Sequence, residues 1–205
     1  MRWTLYSLLF LLITVSASAE EGISPTERVT LSMDAVMQVL NNPNLNREQR
    51  RLAVRDVVRS HFDYRVMSRI ILAINWRKAT DEQRDRFERY FRELMENTYF
   101  SAIDNYSGEE VRIGREKRQG KRAVVQTMLI TKSKQIPIDF KLLSKSNDWA
   151  VYDVVIEGVS LISNYRVEYR GLVKREGMEG LLYKLERKAL QLKKGAKTDT
   201  VEPAS

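Results

Sequence analysis

The segment Trp149–Arg166, WAVYDVVIEGVSLISNYR, constrains this chain more than any other. A run of Val, Ile, Tyr and Trp reads as a strand and stops at Gly158. Ser160 then stands where a helix N-cap belongs, and Leu161, Ile162, Tyr165 and Tyr169 follow at helical spacing. A sheet face is therefore coupled through one glycine to an apolar helix. The segment contains no His, no Cys and no glycine-rich phosphate loop. It builds an apolar wall rather than a reacting centre.

The rest of the chain supplies what such a wall packs against. Ser24-Pro25-Thr26-Glu27 is a capping box with proline at the first helical position, and Val29, Met33, Val36, Met37 and Leu40 share one helical face. A second helix follows Asn46, and residues 63–76 form a shorter one that runs into Trp76. Thr80-Asp81-Glu82-Gln83 opens the strongest helix, with Phe87, Tyr90, Phe91, Leu94, Met95 and Thr98 on one face. Its other face carries Glu82→Arg86, Asp85→Arg89 and Glu88→Arg92, each spaced i, i+4 with the acid first, and reads as solvated. The period then changes to two. Residues from Val111 to the turn at Gln119-Gly120, then 122–132, about 133–143 and 149–157, are four strands. Short turns, including Lys145-Ser146-Asn147-Asp148, make them antiparallel. After Gly158 a helix runs to Gly177, and Leu181 to Leu190 form a last one. Helices, sheet, then helices is an α+β fold in one domain, spanning 20–194.

The ends and totals set the setting. Arg2, the apolar run Leu5–Val15 and Ala17-Ser18-Ala19 read as a signal peptide over 1–19. The run is too short to span a bilayer, for which about 20 residues are needed. Cleavage of 19 residues from 205 leaves 186, enough for one cored domain, and lowers the formal charge from +8 to +7 with loss of Arg2. The chain has no cysteine, so an exported protein of this kind must be held by its core. Positive charge outside the cytoplasm points to an acidic partner or an anionic surface rather than to nucleic acid. Residues 195–205 read as a polar, disordered tail.

Catalysis finds little support. His61 is the only histidine and sits in an amphipathic helix; Gly158-Val159-Ser160-Leu161-Ile162 lacks the second glycine of a nucleophile elbow. No metal-ligand cluster is present, Glu109, Glu110 and Asp104 lack histidine partners, and Asp153 with Glu157 offers only carboxylates. No catalytic residue, metal or cofactor is expected. Five methionines (Met33, Met37, Met67, Met95, Met128), with Phe87, Phe91, Tyr90, Phe140 and Tyr152, would suit an apolar cavity between sheet and helices, although the same inventory would also fill a solid core. Arg112, Arg115, Lys117, Arg118, Lys121 and Arg122 form a basic hairpin, which either protects an edge strand or docks an acidic partner. Lys184, Arg187, Lys188, Lys193, Lys194 and Lys197 complement a helix C-terminus.

Two segments carry a resemblance. Trp76-Arg77-Lys78-Ala79-Thr80-Asp81-Glu82-Gln83-Arg84 with Phe87 and Phe91, and Val151 through Ser160-Leu161 to Asn164-Tyr165-Arg166, together resemble the MlaC family. These are soluble periplasmic phospholipid-binding proteins of the Mla outer-membrane lipid asymmetry pathway, also called the toluene-tolerance or auxiliary transport family. Members often carry Leu-Gly ahead of the tryptophan, where this chain has Leu72-Ala73. The resemblance implies a twisted antiparallel four-stranded sheet with N- and C-terminal helices closing an apolar pocket, of nuclear-transport-factor-2-like shape. It implies a periplasmic carrier that encloses acyl chains and exchanges lipid with an outer-membrane lipoprotein–porin complex and an inner-membrane ABC transporter bearing an MCE-domain subunit. The lipid-lining positions expected are Phe91, Met95, Met128, Ile138, Phe140, Tyr152, Val154, Ile156, Leu161 and Tyr165. A one-residue change of strand phase would exchange Tyr152, Val154 and Ile156 for Val151 and Val155. Gly158 is the expected hinge. The alternatives are an interaction module using the hairpin 112–122, or a small-molecule enzyme on the same fold.

Overall fold

The computed structural model describes residues 22–99 and 106–198. Five helices precede the sheet: α1 (Pro25–Leu40), α2 (Arg47–His61), α3 (Tyr64–Leu72), α4 (Ile74–Lys78) and α5 (Asp81–Tyr99). Their starts follow from local chemistry. Ser24 and Glu27 close a capping box on α1, with Pro25 in the first turn, and Asn46 and Gln49 do the same on α2. Asp63 caps α3 by accepting from the Val66 N–H at 2.9 Å. At α5, Thr80 Oγ1 accepts from the Gln83 N–H at 3.2 Å while the Gln83 side chain accepts from the Thr80 N–H at 3.1 Å.

The sheet is an antiparallel meander in the order β1-β2-β3-β4-β5: β1 (Glu110–Gln119), β2 (Arg122–Ile130), β3 (Gln135–Lys145), β4 (Asp148–Ile156) and β5 (Val159–Ser160). The expected four strands are all present. The two-residue β5 adds a fifth, pairing Val155 with Ser160 and Ile156 with Val159. Ser146 and Asn147 both take positive φ, 47° and 62°, as a tight two-residue hairpin turn requires. α6 (Leu161–Thr198) follows, and its helical geometry breaks at Gly177, whose φ of 73° interrupts the run at the residue expected to separate two helices. α6 continues through Thr198, four residues into the segment expected to be a disordered tail; the signal-peptide residues 1–19 and residues 199–205 lie outside the described residues.

Two cores result. The first is solid and helical. Met67, Ile71 and Leu72 of α3, Phe87, Phe91 and Leu94 of α5, and Tyr169, Leu172, Leu181, Leu182 and Leu185 of α6 pack together. The Phe87 and Phe91 rings stack at 5.9 Å, and Tyr169 and Tyr165 meet them edge-on at 6.0 and 5.3 Å. The second lies on the sheet, where Val29 of α1 covers Ala123, Val125, Phe140, Leu142, Trp149 and Val151. A third, small cluster of Leu40 and Val54 joins α1 to α2.

The charged face of α5 is solvated as expected, with Glu82, Asp85 and Arg89 exposed, but its i, i+4 charges do not pair along the helix. They pair across helices instead: Asp85 and Glu88 take Arg65 of α3, and Arg86 takes Glu179 of α6. Spacing along one helix cannot show that neighbouring helices bring competing partners to the same face. The Gln83 side chain also donates to Glu179, so this acid is held below the usual carboxylate range chiefly by that bond and by Arg86.

Asp153, one of the acids weighed for hydrolysis, is fully occupied structurally. It is 3 % exposed. It accepts from Lys141 Nζ at 2.9 Å, from Ser160 Oγ at 2.7 Å and from the Ile162 N–H at 3.2 Å. A buried carboxylate therefore fixes the first turn of α6 to β4, where the helix dipole favours negative charge. Ser160 accepts from the Ser163 N–H at 3.1 Å and so caps α6 as its position implies.

Candidate functional site

One face of the sheet looks toward α1 and α2. Cross-strand register builds it in rows: Val125, Phe140 and Val154 in one, Thr127, Ile138 and Ile156 in the next, Ala123, Leu142 and Val151 in the third. Strict alternation cannot place both Val151 and Val154 on the same face. A bulge allows it: Leu142 pairs with Val151 and Lys141 with Asp153, leaving Tyr152 without a partner and reversing the phase of β4.

Between this face and the α1–α2 pair lies a cavity of about 380 Å³. Val29, Met33 and Val36 of α1 and Val54, Val57 and Val58 of α2 form its roof; Ile138, Phe140, Val151, Val154 and Ile156 form its floor. Met95, Glu96 and Tyr99 of α5 and Leu161 at the start of α6 close the remaining wall, with Phe62 and Tyr64. Such a volume falls in the range of ligand sites, and its lining is almost wholly apolar.

Of the ten positions expected to line a pocket, six do: Met95, Ile138, Phe140, Val154, Ile156 and Leu161. Four do not. Phe91 and Tyr165 belong to the helical core, where each ring meets other aromatic rings. Tyr152 is turned by the bulge toward that same core. Met128 alternates with the lining residue rows and so lies on the opposite face of β2. The sequence places Leu52, Val57 and Val58 on the buried face of α2 as ordinary packing; Leu52 is instead 44 % exposed, and Val54 joins Val57 and Val58 in the cavity roof.

Ser32, Glu96 and Nδ1 of His61, polar groups in the lining, have partners within the protein. Ser32 Oγ donates to the Arg28 carbonyl at 2.7 Å. Glu96, 4 % exposed, receives both nitrogens of the Arg59 fork at 2.7 and 2.8 Å, with Arg55 at 3.2 Å. His61 Nδ1 lies 2.6 Å from the Val57 carbonyl and 2.9 Å from Ser60 Oγ. That carbonyl can only accept, so Nδ1 carries the proton and cannot take one from Ser60, which itself donates to Val57 at 2.8 Å. The pair therefore lacks the base that a serine nucleophile needs. Burial pushes the phenol of Tyr64 above its ordinary range and keeps it neutral. The arrangement can hold apolar matter; it offers no activated nucleophile and, among the described residues, no group of metal ligands.

Fold and cavity together define a class: a sheet-and-helix shell around an apolar hollow. Comparison with known proteins agrees. The family model "MlaC protein" matches residues 31–187, and the chain belongs to that family. The "Intermembrane phospholipid transport system binding protein MlaC" of Haemophilus influenzae is 24% identical over 203 residues, 93% of this chain and 94% of that protein. The "Toluene tolerance protein ttg2D" of Pseudomonas putida is 25% identical over 114 residues, 54% of this chain and 53% of that one. Among solved structures, the phospholipid-binding protein of Ralstonia solanacearum, in complex with a phospholipid, superposes with a TM-score of 0.76 at 23% identity, covering 83% of this chain and 99% of that one.

Proposed function

We propose that this protein is a periplasmic phospholipid carrier. It encloses acyl chains in the cavity between α1–α2 and the sheet, and exchanges lipid with an outer-membrane lipoprotein–porin complex and an inner-membrane ABC transporter with an MCE-domain subunit. The apolar cavity is the observation that carries the reading. Each methylene withdrawn from water contributes ~0.8 kcal/mol, so two chains with roughly 30 methylenes would cost about 25 kcal/mol to carry exposed. A shuttle must shield them, while the headgroup stays wet at the mouth. Six of the expected positions, with the α1 and α2 residues now added, serve as the tail-lining set. The names of the H. influenzae and P. putida relatives and the phospholipid held by the R. solanacearum protein support the same assignment. An N-terminal signal over 1–19 fits export, and among the described residues no helix is long and apolar enough to cross a membrane.

Mass spectrometry of an organic extract of the purified protein tests this. The expected result is phospholipid at about one per chain. Val154→Trp, which fills the floor, should reduce recovery severalfold while Met128→Ala, on the far face, leaves it unchanged. Recovery of no phospholipid from the folded parent protein would sink the proposal.

A further inference from the structure

A second concavity lies elsewhere on the molecule. It has a volume of about 750 Å³ and shares no lining residue with the first. Its floor is Val66, Ile70, Ile74, Trp76 and Leu143, and five arginines stand around it: Arg69, Arg77, Arg122, Arg166 and Arg170. No lysine and no carboxylate lines it. Among the described residues none of these five guanidiniums has a carboxylate or a side-chain hydrogen-bond partner, and all five side chains are exposed. This contrasts with their neighbours. Arg65 and Arg84 are both ion-paired and lie over the Trp76 ring at 4.8 and 5.6 Å, and Arg84 Nε donates to the Trp76 carbonyl at 2.9 Å. The indole in the floor is thus held rigidly while the surrounding five cations are left unneutralised.

We propose that this groove docks an acidic segment of a partner protein that also bears apolar side chains. Three properties select that occupant. Five like charges brought together without a counter-ion repel one another and are relieved by an anionic ligand. Arginine's planar fork matches carboxylates in pairs, which lysine does not, and the site uses arginine alone. The apolar floor, with Ile74 50 % exposed, has no use for a simple inorganic anion and leaves a patch that apolar side chains would cover. A flat anionic bilayer would reach only the rim of a concave groove. The lining of the groove is far more polar than that of the first cavity and offers acyl tails little apolar wall. The proposal stands apart from the carrier reading, because it rests on different residues.

The test uses the full chain and a fluorescein-labelled twelve-residue peptide alternating Glu and Leu, with anisotropy measured at low and physiological salt. The account expects saturable binding that weakens with salt. The Arg166→Glu, Arg170→Glu double variant should bind at least tenfold more weakly, while its circular dichroism and its recovered phospholipid match those of the parent. Reversal on the hairpin, Arg115→Glu with Lys117→Glu, should leave peptide binding within twofold. Should the charge-reversed groove variant fail to fold, Arg166→Gln with Arg170→Gln serves in its place and should weaken binding at least threefold. No saturable binding by the parent, equal loss in the hairpin variant, or displacement of the peptide by phosphatidylglycerol vesicles through the same arginines would overturn it, the last in favour of a membrane surface.

Discussion

Ala73 joins α3 to α4 with φ 49° and ψ −114°, a backbone conformation that a side chain strongly disfavours and glycine adopts freely. The resemblance leads one to expect Leu-Gly where this chain has Leu72-Ala73, and these dihedrals are ones that glycine would adopt without strain. Strain of this kind costs of order 1–3 kcal/mol, offset in part by the lower chain entropy of alanine when unfolded. Ala73→Gly should therefore raise stability by about 1 kcal/mol, read as a higher denaturant midpoint at unchanged slope; an unchanged or lower midpoint would show the strain to be absent. At this scale the sequence was readable wherever chemistry is local. Ser24, Asn46, Thr80 and Ser160 all cap the helices they precede. The role of Asp153 was hidden, because its partners Lys141 and Ile162 lie twelve and nine residues away and no spacing marks them.

Elements were legible by period, but their phase and partners were not. The bulge at Tyr152 puts half of β4 in each of the two phases considered for it, and no residue in WAVYDVVI announces a bulge. The expected hinge at Gly158 is a closed hairpin turn. Glu157 and Gly158 take φ 50° and 81°, with paired residues on either side. A valine there would be strained by the backbone alone, so its effect would report strain and not gating. The roof of the cavity, by contrast, is tied to the sheet at identifiable points. The start of α1 is tied to the sheet by Thr26 with Glu116 and by Arg28 with Asp148, and the end of α2 by the Asp63 N–H donating to the Val151 carbonyl at 2.9 Å. Glu96 holds α2 to α5 through Arg55 and Arg59 at the cavity wall. Both arginines are partly solvated, so removing the acid should cost about 2 kcal/mol rather than the 3–5 of a wholly buried pair. In Glu96→Ala, amide exchange should quicken through Arg47–His61 and stay slow at Leu181–Leu185. Uniform acceleration, or none in α2, would refute the latch.

For the whole molecule, the order of periods led to the α+β class, but not to where the hollow lies. Apolar periodicity reports which residues leave water, and a residue facing a solid core leaves water as fully as one facing a cavity. Phe91 and Val154 carry the same signal. Only tertiary packing sends one into an aromatic stack and the other to the floor of the cavity. The division of labour is nonetheless plain in the folded chain: α3, α5 and α6 form a solid body, and the sheet with α1 and α2 forms a shell. The central claim is that this shell, and no other part of the surface, receives acyl chains. A crystal structure of the protein loaded with a phospholipid brominated along its tails tests it most directly. The account predicts anomalous bromine density between Met33, Phe140 and Val154; bromine located outside the shell, or in the arginine groove, would contradict it.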